Sequence, residues 1–176
     1  MEYVGKSLKK VYDQFADFFW GIGYFGWQFA TIYALIVVTL IDVNYTILFF
    51  VLFLFSGWLN HEVFKKIIHN LRPKESTLFL ANETKDKVSN GMPSGHSQQT
   101  AFALTIAYLF SERFLYMSIA LFGLTVLQRY IFKNHTLPQL LVGGVFGFLL
   151  GFVSFHVMRF LEKYLDRFQT KVFKKN

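Results

Sequence analysis

Long apolar stretches that contain almost no charged residues dominate the chain. A helix rises about 1.5 Å per residue, so about 20 mainly apolar residues are needed to cross a hydrocarbon layer about 30 Å thick. Five stretches reach or approach this length, namely residues 18–41, 43–61, 88–111, 114–128 with an extension to 132, and 136–158. We therefore predict an all-α fold, a polytopic membrane bundle of five transmembrane helices.

The composition agrees with a membrane protein and excludes several other classes. Hydrophobic residues make up 53% of the 176 positions and charged residues only 16%, against about 25% in a typical soluble protein. A soluble chain of this length has too small an interior to bury so many apolar side chains. The absence of cysteine excludes a disulfide-stabilised secreted module. The formal net charge is +7, but the basic residues are scattered, so we expect membrane lipids and no nucleic acid as partners.

Three polar segments flank or connect the apolar stretches of a single predicted domain, residues 1–176. Residues 1–17 alternate charged and apolar side chains at helical spacing, which predicts an amphipathic helix in the membrane interface, with a cytosolic lead-in as the alternative. Residues 71–92 form a long polar loop, and such loops in compact proteins are usually functional or disordered. Residues 159–176 form a basic tail that is typical of a helix end binding lipid headgroups.

The unusual polar residues occur at four span ends that share one side of the membrane. Because consecutive spans alternate in direction, the end of the second, the start of the third, the end of the fourth and the start of the fifth meet there. These positions hold Lys65, Arg72, Pro93, Ser94, Gly95, His96, Arg129 and His135. Ionisable residues next to membrane spans are energetically costly, so the default interpretation of this set is functional.

Each group in this set has a physical interpretation of its own. Lys65 and Arg72 are seven residues apart, which places them on one face of a continuous helix; the alternative is that both extend to lipid headgroups. Ser94 is suited to cap a helix that starts at Gly95, and the free N–H groups of a helix start bind anions. Arg129 is suited to bidentate contacts with phosphate.

Three cations, a helix start and two histidines match the requirements of phosphoryl transfer. The transferred group carries negative charge on three equatorial oxygens, so catalysis consists mainly of positioning and electrostatic stabilisation. One imidazole can attack phosphorus while the other protonates the leaving oxygen, because histidine changes its charge near neutral pH. A metal site is the competing interpretation, but the set has no cysteine and few acidic neighbours. We expect neither a metal nor another cofactor.

The same residues resemble the signature of the type 2 phosphatidic acid phosphatase superfamily. Residues 65–73 (KKIIHNLRP) fit Lys, six residues, Arg-Pro; residues 93–96 read PSGH; and residues 129–135 (RYIFKNH) fit Arg, five residues, His. The resemblance implies that His135 attacks phosphorus and becomes a phosphohistidine, and that His96 is the general acid and base. It also implies a metal-independent site whose phosphate-binding residues are Lys65, Arg72, Ser94, Gly95 and Arg129.

Two glutamines depart from the superfamily pattern. Gln128 stands where a serine usually precedes the arginine, and Gln139 stands where an aspartate usually follows the nucleophilic histidine. We interpret Gln139 as an orienter of His135, since its side-chain oxygen can accept a hydrogen bond from the ring N–H. Residues 136–139 also fit a capping box at the start of the fifth span, and the two roles are compatible.

The third motif, read as His-Thr-x-x-Gln, resembles that of dolichyl diphosphate phosphatases. This resemblance implies hydrolysis of a polyprenyl diphosphate to the monophosphate and inorganic phosphate, in a glycosylation pathway, with the site facing the lumen of the endoplasmic reticulum. The alternatives are another lipid phosphate such as phosphatidate, a non-catalytic membrane member of the family, and a bacterial plasma membrane. Basic residues are balanced between the two sides of the spans, so the orientation does not follow from the sequence. The oligomeric state does not follow from it either.

Overall fold

A computed structural model describes residues 2–74, 76 and 90–173 of the chain. The helices in chain order are α1 Glu2–Tyr24, α2 Gly26–Ile41, α3 Val43–Trp58, α4 Lys65–Ile67, α5 Gly95–Phe110, α6 Leu115–Ile131 and α7 Leu137–Phe173. A π-helical segment, Leu59–Phe64, joins α3 to α4, and a short 3₁₀ turn, Glu112–Phe114, precedes α6. The described residues contain no β-strand, which confirms the predicted all-α class.

Several of these helices are suited to a membrane. In the described residues, Val43–Ile67 and Leu137–Tyr164 are long and apolar enough to cross it, and the bent pair Asp13–Tyr24 and Gly26–Ile41 adds a third span if it is counted as one. α6 is a shorter apolar helix, and α5 has 16 residues. These apolar helices indicate a membrane protein with two or three candidate spans, whereas the number of five transmembrane helices stays a prediction.

The N-terminal part of the bundle is divided differently from the sequence prediction. α1 continues past residue 17 to Tyr24, and the break comes at Phe25, where the chain bends by 59°. The reason is close packing against α6, because a Cβ atom at Gly23 would lie 2.7 Å from the Cβ of Gln128, and one at Gly26 would overlap Thr125. The interfacial position of residues 1–17 stays a prediction.

The third uncharged stretch starts at residue 88, and its helix, α5, begins at Gly95, the helix start predicted from Ser94. The boundary after the fifth span differs from the prediction. α7 runs without a break through the predicted boundary between the fifth span and the tail, and ends at Phe173. Of the predicted loop 71–92, the described part includes an antiparallel bridge between Leu71 and Asn90; residues 75 and 77–89 lie outside the described residues.

α5 lies at the centre of the bundle and packs against α2 on one side and α7 on the other. The contact with α7 depends on a stripe of small residues, Gly143, Gly147 and Gly151. A Cβ atom at Gly143 would lie 2.6 Å from the carbonyl oxygen of Ser94, and one at Gly151 would lie 2.8 Å from that of Phe102. Without side chains at these positions the two backbones approach closely. This packing brings the start of α5 beside the start of α7, where most of the candidate residues lie.

Candidate active site

The start of α5 is fixed in place by its own N-cap and by two hydrogen bonds to α7. Ser94 is the N-cap, as predicted, and its buried hydroxyl accepts a hydrogen bond of 3.4 Å from the backbone N–H of Ser97. The backbone N–H of Ser94 donates to the carbonyl oxygen of Gln139, at 3.0 Å, and Ser97 Oγ donates to that of Leu140, at 2.7 Å. The PSGH segment is therefore attached directly to the first turn of α7.

A cavity of about 430 Å³ lies at this end of the bundle, between α2, the end of α3 and the start of α5. Four of the predicted site residues line it: Lys65, Arg72, Gly95 and His96. The ring of Trp27 meets the His96 ring edge to face, with centroids 6.3 Å apart. The described residues that line the cavity include three amides and a second histidine, His61, and none of them is acidic.

Lys65 and Arg72 reach this cavity by a route that the sequence did not predict. The expected shared face required one helix through both residues, but α4 ends at Ile67 and Arg72 lies in the following loop. That prediction was wrong, because the chain leaves the helix after Ile67. The carbonyl oxygen of Lys65 accepts a hydrogen bond of 2.9 Å from Asn90 Nδ2, so the two ends of the polar loop hold this part of the chain in place.

His135 lies in the short connection between α6 and α7, and its side chain is 2% exposed. The backbone N–H groups of Asn134 and His135 both donate to the carbonyl oxygen of Arg129, at 3.0 and 3.4 Å. Lys133 has a positive φ of 51°, which lets the chain turn this tightly. The connection therefore ties His135 to the helix turn that carries Arg129.

Hydrogen bonds fix the orientation of the Gln139 amide and, through it, the tautomer of His135. Gln139 Nε2 donates to the carbonyl oxygen of Leu71 at 2.8 Å, and Gln139 Oε1 accepts from the backbone N–H of Thr136 at 3.1 Å. Gln139 Oε1 also lies 3.2 Å from His135 Nδ1. Since this oxygen only accepts, Nδ1 carries the proton and Nε2 keeps its lone pair. The geometry is that of the predicted orienter, and the bond to Thr136 is one of the two hydrogen bonds of a capping box.

The two histidines share one set of positive charges. The His96 ring interacts electrostatically with Arg129, His135, Arg72 and Lys65. Burial and then the charge of Arg72 lower the pKa of His135 to about 3, with smaller contributions in the same direction from Arg129 and Lys65 and an opposing one from the Gln139 hydrogen bond. His135 is therefore a neutral imidazole near pH 7, as a nucleophile must be.

The arginines of the site have buried donors that no group in the described part of the chain satisfies. The Nε–H of Arg72 and that of Arg129 are both buried without a hydrogen-bond partner. Burial lowers the pKa of Arg72. Arg129 is 5% exposed, donates from Nη2 to the carbonyl oxygen of Tyr24 at 3.4 Å, and lies 4.7 Å above the Tyr24 ring centroid. Unpaired buried guanidinium groups are costly, and an anion bound between them would remove that cost.

We also looked for side chains that could bind a metal ion. Among the described residues no group of three or more His, Cys, Asp or Glu side chains is arranged to hold a metal ion. Of the remaining histidines, His69 and His156 are exposed, and the His156 ring contacts Phe152 and Phe155 on α7.

Several polar residues of the site were missed at the sequence level. Asn70 accepts a short hydrogen bond from Gln139, and the amide of Gln98 links Asn60 to Ser56 beneath the cavity. Tyr24 holds Arg129. A signal for some of them was present, since amide side chains inside or at the end of an apolar span are costly and usually have a function.

The profile of the PAP2 superfamily matches residues 44–163, which is more than half of the chain. The comparisons of this chain with curated proteins and with solved structures found no match. The matched region runs from the start of α3 into the last part of α7, and so contains His135, all three motifs and most of the residues that line the cavity. The lining residues Tyr24, Trp27 and Gln28 precede it. With the family profile and this arrangement of residues in agreement, the chain belongs to the PAP2 superfamily, whose members are generally phosphatases.

Proposed function

We propose that the protein is an integral membrane lipid phosphatase that hydrolyses a polyprenyl diphosphate of the dolichyl type to the monophosphate and inorganic phosphate. The observation that carries this proposal is the pair of buried, unpartnered guanidinium Nε–H groups of Arg72 and Arg129, within electrostatic range of His135. A phosphoryl group offers both the negative charge and the acceptor oxygens that these donors lack.

In the first half of the reaction, the terminal phosphoryl group is bound by the cations Lys65, Arg72 and Arg129 and by the helix start at Ser94 and Gly95. His135 Nε2 attacks phosphorus, and the bond from phosphorus to the bridging oxygen breaks. His96, protonated in the presence of the bound anion, gives its proton to that oxygen. The prenyl monophosphate then leaves, and the phosphoryl group remains on His135.

In the second half, a water molecule attacks the phosphohistidine. His96 is now neutral and takes one proton of this water. The new phosphorus–oxygen bond forms as the bond from phosphorus to His135 Nε2 breaks. Inorganic phosphate leaves, and His135 returns to the neutral tautomer that Gln139 holds. Both steps use positioned charges and acid–base chemistry of this chain's own residues.

Two features support a lipid diphosphate as the substrate. The cavity lies at one end of a bundle whose outer surface is apolar, so a lipid tail can stay in the bilayer while the headgroup enters. Gln139 in place of an aspartate is the form that resembles dolichyl diphosphate phosphatases. We place the protein in the endoplasmic reticulum with its cavity facing the lumen, and protease access to the 71–92 loop from the cytosolic side of sealed microsomes would contradict that orientation.

The test is phosphate release by the purified protein from a panel of lipids: a polyprenyl diphosphate, a polyprenyl monophosphate, phosphatidate and lysophosphatidate, each with and without a chelator. We expect the highest kcat/KM for the diphosphate and no effect of the chelator. A preference for phosphatidate would replace the substrate and keep the mechanism. No release from any lipid, together with binding of phosphate, would identify a non-catalytic member of the family.

Two histidine variants test the mechanism in the same assay. We expect His135→Ala to abolish turnover, because loss of a nucleophile costs several powers of ten in rate. His156→Ala is the matched control, since this exposed histidine contacts the rings of Phe152 and Phe155 on α7 and should keep wild-type activity. Substrate labelled with ³²P in the terminal phosphoryl group should label the wild-type protein in an acid-labile form. Label on the His135→Ala protein would reject His135 as the nucleophile.

A further inference from the structure

One lining residue of the cavity offers a hydrogen-bond acceptor among cations. Asn60 comes from the π-helical segment Leu59–Phe64 and is 1% exposed. Its Oδ1 is buried and has no hydrogen-bond partner among the described residues. This oxygen faces the start of α5, because a Cβ atom at Gly95 would lie 3.6 Å from it. An unpaired buried amide oxygen costs free energy, so its presence beside the candidate general base His96 calls for a ligand.

The orientation of this amide is fixed by the backbone. Gln98 Nε2 donates to the carbonyl oxygen of Ser56 at 2.9 Å. A carbonyl oxygen only accepts, so Gln98 must point its nitrogen at Ser56 and its oxygen at Asn60. That oxygen accepts from Asn60 Nδ2 at 2.6 Å. The amide of Asn60 therefore cannot be flipped, and an acceptor, not a donor, is presented to the cavity.

The chemistry of the cavity determines which ligand fits this acceptor. Lys65 and Arg72 are donors only, and they suit the oxygens of a phosphoryl group. Asn60 Oδ1 would repel those oxygens, so its partner is a neutral O–H group. The water that attacks a phosphohistidine is such a group. One of its hydrogens goes to His96, and the other needs an acceptor that the cations do not provide.

We propose that Asn60 Oδ1 holds the water that hydrolyses the phosphohistidine, an inference that rests on the proposed function. The water donates one hydrogen to Asn60 Oδ1 and the other to His96, which orients its lone pair towards phosphorus. The phosphorus–oxygen bond forms, the bond from phosphorus to His135 Nε2 breaks, and His96 takes the proton. Asn60 thus acts in the second half of the reaction and leaves the first half to the other residues.

Asn60→Leu separates the two halves, because leucine has the same branched shape and neither donates nor accepts. We expect the rate of ³²P transfer from lipid to protein to stay within about threefold of wild type. Steady-state phosphate release should fall by about tenfold to a hundredfold, and labelled phosphoprotein should accumulate. The variant should also lose, to the same extent, the exchange of ¹⁸O between inorganic phosphate and water, which runs the second half alone. A purely structural role would instead slow both halves together.

Two further substitutions control for burial and for the choice of acceptor. Thr100→Val removes another buried, unpartnered oxygen from α5 that does not line the cavity, and it should leave both halves unchanged. Gln28→Leu removes a second unpartnered amide oxygen of the cavity. If Gln28→Leu stops the exchange and Asn60→Leu does not, the inference is wrong and Gln28 holds the water.

Failure of the inference is distinguishable from failure of the proposed function. If the wild-type protein forms no phosphoprotein and releases no phosphate from any lipid, the proposed function fails, and the inference with it. If the wild-type protein forms phosphoprotein and Asn60→Leu hydrolyses it at the normal rate, only the inference fails. Should Asn60→Leu not fold, Asn60→Ala carries the same expectation, since it removes the oxygen without filling the space.

Discussion

Arginines at opposite ends of the bundle have opposite surroundings. At the cavity end, Arg72 and Arg129 have buried Nε–H groups without a partner, and within the described part of the chain neither forms an ion pair with a carboxylate. At the other end, Arg159 donates from Nη1 to the hydroxyl of Tyr45 at 3.1 Å and pairs with Glu162 at 3.2 Å. The Arg159 side chain is also about half exposed, at 48%.

The difference separates a structural charge from one that is reserved for a ligand. A half-exposed arginine with a carboxylate and a hydroxyl beside it is already satisfied by the protein and by water. Buried arginines without such partners reduce stability, and the fold retains them only if something else is gained. We propose that the gain here is the binding of an anion. The following four substitutions and measurements test this contrast, starting with the largest expected effect.

Arg129→Leu should remove activity and leave stability intact. We expect kcat/KM for the lipid diphosphate to fall by about a hundredfold to a thousandfold, the usual cost of losing one preorganised group that stabilises the transition state. The thermal midpoint in detergent should stay the same or rise, because an apolar residue of similar volume replaces an uncompensated buried charge. A variant that unfolds at a lower temperature and keeps its activity would mean that Arg129 stabilises the fold and does not bind the substrate.

Gln139→Leu should have the next largest effect, because His135 would lose the acceptor that holds its tautomer. We expect kcat to fall by about tenfold to a hundredfold, with little change in KM. ¹⁵N NMR of the histidine ring should show a mixture of tautomers in place of the Nδ1–H form, a signal that a purely structural role would not change. Gln128→Leu is the matched control, since its buried amide has no partner, and it should retain wild-type kcat.

The ionisation of His135 provides a third test. Burial first, and then the charge of Arg72, lower the pKa of this imidazole to about 3. Because its charged form is the disfavoured one, ¹⁵N NMR on the phosphate-free protein should show a neutral ring from pH 7 down to about 5. Arg72→Leu should raise the pKa, and so should bound vanadate, which adds negative charge. A ring that is protonated already near pH 6.5 in the phosphate-free wild type would contradict the burial of this site.

Arg159→Leu should have the smallest effect. The ion pair with Glu162 is exposed and screened by solvent, so its loss should change the free energy of unfolding by about 0.5 kcal/mol. Phosphate release should equal that of the wild type, because this arginine lies at the end of the bundle away from the cavity. A large loss of activity with this variant would mean that the paired Arg159 also takes part in the reaction, and the contrast with Arg72 and Arg129 would not hold.

Properties that depend on neighbours in the sequence were predicted well. The all-α class follows from the apolar stretches, and Ser94 was identified as a helix cap from the residues that follow it. Boundaries that depend on distant neighbours were not predicted. The bend at Phe25 lies where Gly23 and Gly26 pack closely against α6, and residues 18–41 do not indicate which helix lies against these glycines.

Some features of the candidate site could likewise be predicted from the sequence, whereas others depend on tertiary contacts. The sequence alone determined which residue types are present, in which order, and at which ends of the helices, because motifs and apolar length are local properties. Only the tertiary structure decided that Gln139 is held by Leu71 and that Gln98 turns the Asn60 oxygen into the cavity. The partners in those contacts are 68 and 38 residues apart. The direction of an amide depends on the groups that packing brings beside it, and helix periodicity does not predict which groups these are.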